Sequence, residues 1–337
     1  MMRLHGVSLG LAVLLSQTVL AAEVNVYSAR QESLIQPLLE EFTTQTGIAV
    51  NLIAGNGNEL LKRIQTEGIA SPADLFITVD AGNLHAAKEA GVAQSIKSAV
   101  LNQRIPAQLR DSDNQWVGLT LRARPIFYAK DRVSPAELST YAALTDLKWK
   151  GRVCIRSSGN IYNQSLVAAM IQHQGFEATR TWATDFVKNF ARKPAGGDTD
   201  QLRAVAAGQC DIAIANTYYF GRLADSAKPE DRAVYEALGV FWPDQEGNGV
   251  HVNVSGAVLA KHAKNTAEAI QLLEFMVSDQ AQAHYARINH EYPVVLGAPV
   301  SDTIAAFGTF KADELTLTAL GVNNRRAVQL MDQAGWQ

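Results

Sequence analysis

Short apolar runs alternate with segments of helical periodicity in the part of the chain that follows position 22. The run EVNVYSA (23–29) alternates between apolar and polar positions, which predicts a half-buried strand. The segment 33–47 places Leu34, Ile35, Leu38, Leu39 and Phe42 at helical spacing before Gly47, which predicts a helix and its end. Further strands are predicted over 48–55 and 73–80, and helices over 58–68 and 81–91. This regular alternation predicts a parallel α/β sheet with right-handed crossovers.

The pattern changes at the extended run 116–130, because this run is not followed by a segment of helical periodicity as the earlier predicted strands are. We interpret this run as a strand that leaves one domain and enters the next, with the crossing near Arg124. In the second domain the pattern predicts strands over 151–157 and 210–216 and helices over 162–175, 177–191 and 198–209. A second extended run, 249–262, would carry the chain back. A helix over 265–287 is then assigned to the first domain and a helix over 323–335 to the second.

Two α/β lobes are therefore expected, an N-terminal lobe of residues 23–124 plus 250–298 and a C-terminal lobe of residues 125–249 plus 299–337. The two extended crossings would form a hinge, with a cleft between the carboxyl ends of the two sheets, where open α/β sheets bind ligands. Candidate ligand residues are those at strand ends, namely Ser28 to Glu32, Val79, Asp80, Ser157 to Asn160, Tyr162, and Asn216 to Tyr219. Four arginines lie near the same positions or on the crossing strand, Arg30, Arg122, Arg124 and Arg156.

Residues 1–22 have the pattern of a secretory signal: a basic residue, Arg3, then a short apolar core from about Val7 to Leu15, then small residues. The core is too short to span a bilayer, so the mature chain is expected to begin near Ala22 or Glu23 in the periplasm. Without Arg3, the 30 basic residues become 29 against 33 acidic ones, a net charge of −4. This mild acidity argues against a nucleic-acid-binding or anionic-membrane surface, which would need a basic patch.

The chain has two cysteines, Cys154 and Cys210, both in apolar runs that read as strands. In an oxidising compartment this pattern predicts a structural disulfide. Their spacing excludes a CxxC redox pair, and two thiols alone are too few ligands for a structural zinc site.

Tyr218 and Tyr219 are adjacent tyrosines where an apolar run stops. In a continuing strand their side chains would point to opposite faces, whereas at a strand-to-helix turn both phenols can reach the cleft. A phenol has a pKa of about 10, so a phenolate at neutral pH needs a strong positive charge beside it, such as a trivalent metal ion. The residues alone leave two alternatives: a metal site, or one tyrosine in the core and the other on the surface.

Seven segments spread over the whole mature chain resemble the periplasmic ferric-iron-binding proteins of ABC importers. They are VYSARQE, SPADLFITVDAGNL, LTLRARPIFYAK, WKGRVCIRSSGNIYNQSLVA, GQCDIAIANTYYFGR, VSGAVLAKHAKN and EYPV. The resemblance implies the hinged two-lobe type II periplasmic binding fold, each lobe a mixed, mainly parallel sheet flanked by helices. It also implies Fe(III) ligation by Tyr162, Tyr218 and Tyr219, because hard phenolate oxygens suit this ion.

The same resemblance implies a non-catalytic, monomeric capture protein that spans no membrane and delivers its ion to an inner-membrane ABC permease. The first lobe departs from the family pattern, because Gln31 stands where some members have histidine, followed by Glu32, and Val79 where some have glutamate. Asp198 stands at a phosphate-binding asparagine position and would repel phosphate. Arg122 and Arg124 are therefore candidates to hold a smaller synergistic anion such as carbonate or to pair with a tyrosinate; the alternative is ordinary surface salt bridges.

Two other classes of function are considered. A binder of a small anion or organic solute could use the amides of SSGN (157–160) and the arginines, with the tyrosines stacking or donating hydrogen bonds. A secreted hydrolase would need a nucleophile and a base, and the sequence has no GxSxG elbow and no Ser-His-Asp set at strand ends. The seven histidines form no HxxH or HxxxH pair.

Overall fold

A computed structural model of the protein describes residues 22–337, and the predicted signal segment up to residue 21 lies outside this range. The strands are β1 Glu23–Ser28, β2 Ala49–Ala54, β3 Leu75–Val79, β4 Ala93–Gln94, β5 Trp116–Ala123, β6 Ile126–Ala129, β7 Val153–Cys154, β8 Ile212–Ile214, β9 Leu238–Phe241, β10 Val252–Ala260 and β11 Tyr292–Pro293.

The α-helices are α1 Glu32–Thr46, α2 Gly57–Glu67, α3 Ala81–Glu89, α4 Ala99–Arg104, α5 Ile161–Gln174, α6 Phe176–Val187, α7 Asp198–Ala206, α8 Thr217–Ala224, α9 Pro229–Ala237, α10 Thr266–Met276, α11 Asp279–His284, α12 Asp302–Ala305, α13 Thr318–Val322 and α14 Asn324–Gln333. Short 3-10 helices cover Gly68–Ala70, Ala107–Leu109, Pro135–Glu137, Ala142–Thr145 and Leu147–Trp149, and a π-helix covers Tyr285–Asn289.

The strands form two separate sheets. In the first, the order is β11-β5-β10-β3-β1-β2, and β4 also pairs with β10. In the second, the order is β7-β8-β6-β9. Helices flank both sheets, so the predicted α/β class with two sheets is confirmed. The structure also confirms the predicted end of α1. There Gly47 adopts a left-handed φ of 73°, and its N–H donates a hydrogen bond to the carbonyl of Thr43.

The sheets are mixed, as predicted, but the expectation that they are mainly parallel is wrong. Within the described residues, β1 pairs in parallel with β2 and β3, and β7 pairs in parallel with β8. The remaining pairs are antiparallel, including the long pair of β5 with β10. The physical reason is that β5 carries the chain out of the first sheet and β10 carries it back, so these strands lie side by side in opposite directions.

The helix predicted over 265–287 is also broken into pieces. α10 ends at Met276, and the hydroxyl of Ser278 caps α11 by accepting a hydrogen bond from the N–H of Ala281 at 3.2 Å. A π-helix then leads to His290, whose φ of 56° ends the helical path. These turns place residues 290 and 291 against the cleft, where a continuous helix would not bring them.

In the described part of the chain, three large hydrophobic clusters pack against the sheets, the first against the first sheet and the other two against the second; the third contains Phe127 and Leu238. Trp116, Phe76 and Leu272 belong to the first, and Trp149, Phe186 and Trp336 belong to the second. Packing departs from the predicted lobe boundaries at four points: Ala123 and the pair Val250 and Val252 lie in the second cluster, and Ala169 and the pair Leu317 and Leu320 lie in the first. The boundaries otherwise stay a prediction.

The two crossings between the sheets lie against each other. Between β5 and β6 only Arg124 and Pro125 lie outside a strand, and the N–H of Arg124 donates to the carbonyl of His251 at 3.0 Å. The phenol of Tyr141 donates to the carbonyl of Arg124 at 2.8 Å and accepts from the N–H of His251 at 3.3 Å. One buried side chain thus ties both crossings together.

The predicted disulfide between Cys154 and Cys210 is present. It joins the end of β7 to the residue two positions before β8, and both cysteines are buried. None of the helices in residues 22–337 is long and apolar enough to cross a membrane.

Replacing both cysteines by serine should lower the free energy of unfolding by about 2–4 kcal/mol, because the bond closes a loop between positions 56 apart in the unfolded chain. Urea unfolding of the variant, with reduced wild-type protein as the control, measures this loss. Equal midpoints for oxidised and reduced wild-type protein would contradict the prediction.

Candidate metal-binding site

A cavity of about 200 Å³ lies between the two sheets and is lined from both of them. Its lining includes eight of the candidate residues named from the sequence, Ala29, Arg30, Gln31, Val79, Arg122, Tyr162, Tyr218 and Tyr219, together with Leu34, Arg222 and Glu291. The ends of β1 and β3 contribute the wall on the first sheet, and the first turns of α5 and α8 contribute the opposite wall. The strand ends therefore converge on a cleft, as the sequence predicts.

The adjacent tyrosines reach the same cavity because α8 begins at Thr217, directly after the extended residue Asn216. Successive residues of a helix turn by about 100°, so neighbouring side chains need not point to opposite faces as they do in a strand. The rings of Tyr218 and Tyr219 lie 4.3 Å apart between centroids. The alternative of one tyrosine in the core and one on the outer surface does not describe this arrangement.

Tyr162 is placed by the start of α5. The side chain of Asn160 caps this helix and accepts a hydrogen bond from the N–H of Tyr162 at 3.1 Å. The phenol of Tyr218 donates to the phenol oxygen of Tyr162 at 3.1 Å. Two phenol oxygens from different helices are therefore within reach of one ion.

Burial keeps these two phenols protonated before any cation binds. It raises the pKa of Tyr162 to about 12, with a further contribution from the neighbouring Tyr219. Burial also raises the pKa of Tyr218 well above its ordinary value, and Tyr162 and Tyr219 add to the effect. Ionising this set therefore requires a cation stronger than the surrounding arginines.

Two of the cavity arginines lie in the wall formed by the first sheet. Arg30 forms a buried ion pair with Glu291 at 2.6 Å. Arg122 is 2% exposed and donates to the hydroxyl of Ser255 at 3.1 Å, but its Nε and Nη1 have no hydrogen-bond partner among the described residues. Burial would raise the pKa of Glu291, but the charges of Arg30 and Arg122 outweigh it and lower that pKa, so this carboxylate stays ionised.

The third cavity arginine, Arg222, belongs to the second wall. Its guanidinium lies 5.1 Å from the ring centroid of Tyr218 and 5.6 Å from that of Tyr219. A cation this close to the ring faces is attracted by their electron density. The same positive charge lies beside the place where phenolates would form.

Arg124, predicted as an anion-binding or surface arginine, lines neither the cavity nor the surface. It forms a buried ion pair with Asp198 at 3.0 Å and donates to the side-chain oxygens of Asn163 at 2.7 Å and Asn216 at 2.9 Å. Asp198 in turn accepts from the N–H of Asn216 at 2.8 Å. Arg124 thus anchors the starts of α5 and α8, and Asp198, whose charge it pairs, does not line the cavity; that Asp198 would repel phosphate stays a prediction.

Among the other predicted candidates, Glu32 and Asp80 lie outside the cavity lining, and Arg156 lies at its edge, with its guanidinium 5.4 Å from the ring centroid of Tyr162. Glu32 is exposed in the first turn of α1 and is not part of the lining. Asp80 is buried at the start of α3, where it accepts hydrogen bonds from the N–H of Gly82 at 2.9 Å and the hydroxyl of Ser165 at 2.6 Å. Arg156 lies 3.6 Å from Asp198 and supports the buried ion pair.

The sequence analysis did not assign Arg222 or Glu291 to the site. Arg222 lies four residues after Tyr218, and this helical spacing would have placed both side chains on one face. Glu291 opens the segment EYPV, whose short apolar run carries no periodic signal, so its position depends on the π-helix before it.

The donor set around the cavity is dominated by phenols. Within residues 22–337, no group of three or more His, Cys, Asp or Glu side chains is arranged to hold a metal ion. Tyr162, Tyr218 and Tyr219, which offer hard oxygen atoms, stay the predicted ligands.

Comparison with known proteins shows likeness over nearly the whole chain. The family model described as bacterial extracellular solute-binding protein matches residues 38–312. The chain is 50% identical over 315 residues to iron uptake protein A1 of Synechocystis sp., covering 94% of the chain and 88% of that protein. It is 28% identical to the Fe(3+)-binding periplasmic protein of Serratia marcescens, covering 99% of each. The solved Trichodesmium FutA structure in complex with iron and citrate matches with a TM-score of 0.91 at 49% identity, covering 94% of this chain and all of that one.

Replacing Arg124 by glutamine should destabilise the protein by about 3–5 kcal/mol, because the carboxylate of Asp198 would stay buried without its partner. Urea unfolding measures the effect. Arg180→Gln, which removes an exposed ion pair with Glu177, serves as the control and should cost about 1 kcal/mol or less. Similar losses for the two variants would contradict the anchoring role.

Proposed function

The chain belongs to the bacterial extracellular solute-binding proteins and to their ferric-iron-binding branch, and we propose that it captures Fe(III) between its lobes and delivers it to an inner-membrane ABC permease. The observation that supports this proposal most directly is the convergence of Tyr162, Tyr218 and Tyr219 on one cavity. In this proposal the protein is a periplasmic, non-catalytic carrier that acts as a monomer. The ion is its cargo.

Phenol ligands suit this cargo for a reason of charge. Fe(III) is a hard cation, and hard oxygen donors bind it in preference to sulfur or neutral nitrogen. A bound cation lowers the pKa of its ligands, as it does for bound water and thiols, and so ionises phenols that burial otherwise keeps neutral. Three tyrosinates would then balance the charge of the ion.

The remaining cavity charges favour an additional anion. Arg30 and Glu291 cancel each other as an ion pair, and the ion with three tyrosinates is neutral, so Arg122 and Arg222 leave about two positive charges. The Nε and Nη1 atoms of Arg122 are free to donate hydrogen bonds. A synergistic dianion such as carbonate, or a carboxylate-bearing chelator of the ion, would complete both the charge balance and the hydrogen bonds.

The first lobe would contribute less to the coordination than the second. Gln31 is the predicted first-lobe oxygen donor that lines the cavity, and its side-chain oxygen is a neutral hard donor. Glu32 does not line the cavity in this arrangement. The charge of the first wall is carried mainly by Arg30, Arg122 and Glu291, which would orient an anion rather than replace a phenolate.

Capture and delivery would depend on hinge motion of the two lobes. The crossings at Arg124 and His251 are short and lie side by side, which is the arrangement expected of a hinge. Reopening, protonation of the tyrosinates or reduction of the ion would each release the cargo, because each weakens the bond between hard phenolates and a trivalent cation. Delivery requires a permease that recognises the closed lobes.

Replacing Tyr218 and Tyr219 together by phenylalanine should abolish Fe(III) binding without unfolding the protein, since only two hydroxyl groups are lost. The measurement is the red-to-purple absorption of ferric tyrosinate after ferric citrate is added, together with metal content after gel filtration. Tyr235→Phe, a half-buried tyrosine of α9 outside the cavity, is the matched control. Wild-type protein that stays colourless and retains no iron would favour the small-anion or organic-solute alternative.

Iron affinity should fall as the pH falls, because the phenols of Tyr162 and Tyr218 are neutral before binding and must lose their protons to the solvent. For three phenols, the apparent affinity should change by up to about a thousandfold per pH unit, and by about a hundredfold in Tyr162→Phe. Competition with a chelator of known protonation behaviour, at several pH values between 6 and 8, measures both slopes. A slope that is the same in the variant would exclude Tyr162 as a ligand.

A further inference from the structure

We propose that Gly221 of α8 and His290 form a steric contact that limits how far the two lobes close over the cargo, and that position 221 must be glycine for full closure. This inference rests on the proposed function, because closure matters only if a ligand is held between the lobes. The two residues come from opposite walls: Phe220 of α8 packs on Phe127 of the second sheet, and His290 precedes β11 of the first sheet.

The approach at this contact is unusually close. A Cβ built on Gly221 would lie 2.6 Å from Cβ and 2.7 Å from Cγ of His290, whereas real Cβ contacts are essentially never shorter than 3.0 Å. Both residues are buried, and His290 is 5% exposed. Any side chain at position 221 would therefore have to push the two walls apart.

Neither wall can readily yield. On the α8 side, the ring of Phe220 lies between Phe127, Tyr235 and Phe307, with centroid distances of 4.8, 4.6 and 5.4 Å. Close-packed cores of this kind transmit a displacement rather than absorb it. The helix that carries Gly221 also carries Tyr218 and Tyr219, so a shift at 221 moves the ligand-bearing turn as well.

The His290 side is held by its neighbours in the chain. Asn289 is fully buried, and Glu291 forms the buried ion pair with Arg30. His290 itself has a φ of 56°, a left-handed conformation that favours glycine, and it keeps a Cβ there. His290 directly precedes Glu291, and Gly221 lies two residues after Tyr219. Glu291 and Tyr219 both line the cavity, so the contact lies beside the place where the two walls meet on closure.

The test is Gly221→Ala. In a helix this change should favour the fold, because alanine has the higher helix propensity, so weaker iron binding could not be attributed to a damaged helix. If the added methyl group lowers the closed fraction about tenfold, the apparent dissociation constant for Fe(III) should rise about tenfold. Small-angle scattering should show a larger radius of gyration than in the wild type, both with and without added ferric citrate.

The rescue variant removes the opposing side chain. His290→Gly deletes the Cβ that an alanine at 221 would meet and suits the left-handed backbone, so the double variant Gly221→Ala/His290→Gly should recover wild-type affinity and radius. Gly247→Ala, whose added Cβ would meet only one atom at an ordinary 3.6 Å, is the control for a glycine-to-alanine change and should bind like the wild type.

The outcomes separate the closure contact from the proposed function. Wild-type affinity and radius in Gly221→Ala would overturn the inference, and so would a double variant that stays as weak as the single one. Wild-type protein that binds no Fe(III) would contradict the proposed function. In that case the radius of the metal-free variants would still show whether the contact limits closure.

Discussion

The buried ion pair between Arg124 and Asp198 is the interaction on which the rest of the site depends. Removing two charges from water is costly, and such a pair often adds little net stability. Its effect here is geometric, because a single guanidinium holds Asn163 and Asn216, which lie one residue after Tyr162 and two residues before Tyr218. The backbone of Arg124 is also hydrogen-bonded to His251 in the other crossing and to the phenol of Tyr141, which links the two crossings. The crossings and the helix starts that carry the predicted ligands therefore share one fixed point.

The cost of burying charge also explains why phenols suit a cavity that, in the proposed function, exists both with and without its cargo. Carboxylates in this position would stay ionised beside the arginines and pair with them, as Glu291 does with Arg30. Buried phenols are neutral before a cation binds, so Tyr162 and Tyr218 can share a hydrogen bond without charge repulsion. Their charge appears only when a strong cation replaces their protons. In the proposed function, the uncharged site is therefore stable before the ion binds, and it would favour ions whose charge is strong enough to ionise the phenols.

Much of the fold could be predicted from the sequence wherever the signal is local. The alternation of β1 and the helical spacing of Ile35, Leu38 and Phe42 predict their elements correctly, and the position of the tyrosine pair at a strand end led to the cavity. The antiparallel pairing of β5 with β10 could not be predicted, because it depends on chain segments more than a hundred residues apart. The break at Ser278 was missed because it depends on a single capping hydroxyl. The burial of Arg124 was missed because it depends on partners from three separate segments of the chain.

The hydrogen bond between Asp80 at the start of α3 and Ser165 of α5 joins the two predicted lobes, and an opening that separated these two helices would break it. Burial raises the pKa of Asp80, and its Oδ2 has no hydrogen-bond partner among the described residues, so this carboxyl is poorly solvated while the lobes are closed. Opening would return it to water and recover part of its hydration, which offsets the lost hydrogen bond. Asp80 also has a φ of 77°, a strained backbone for a residue with a Cβ. The strained backbone belongs to Asp80 itself, whereas the desolvation of its carboxyl belongs to the closed contact, so this contact adds little to the stability of the closed arrangement, which suits the proposed release of the ion.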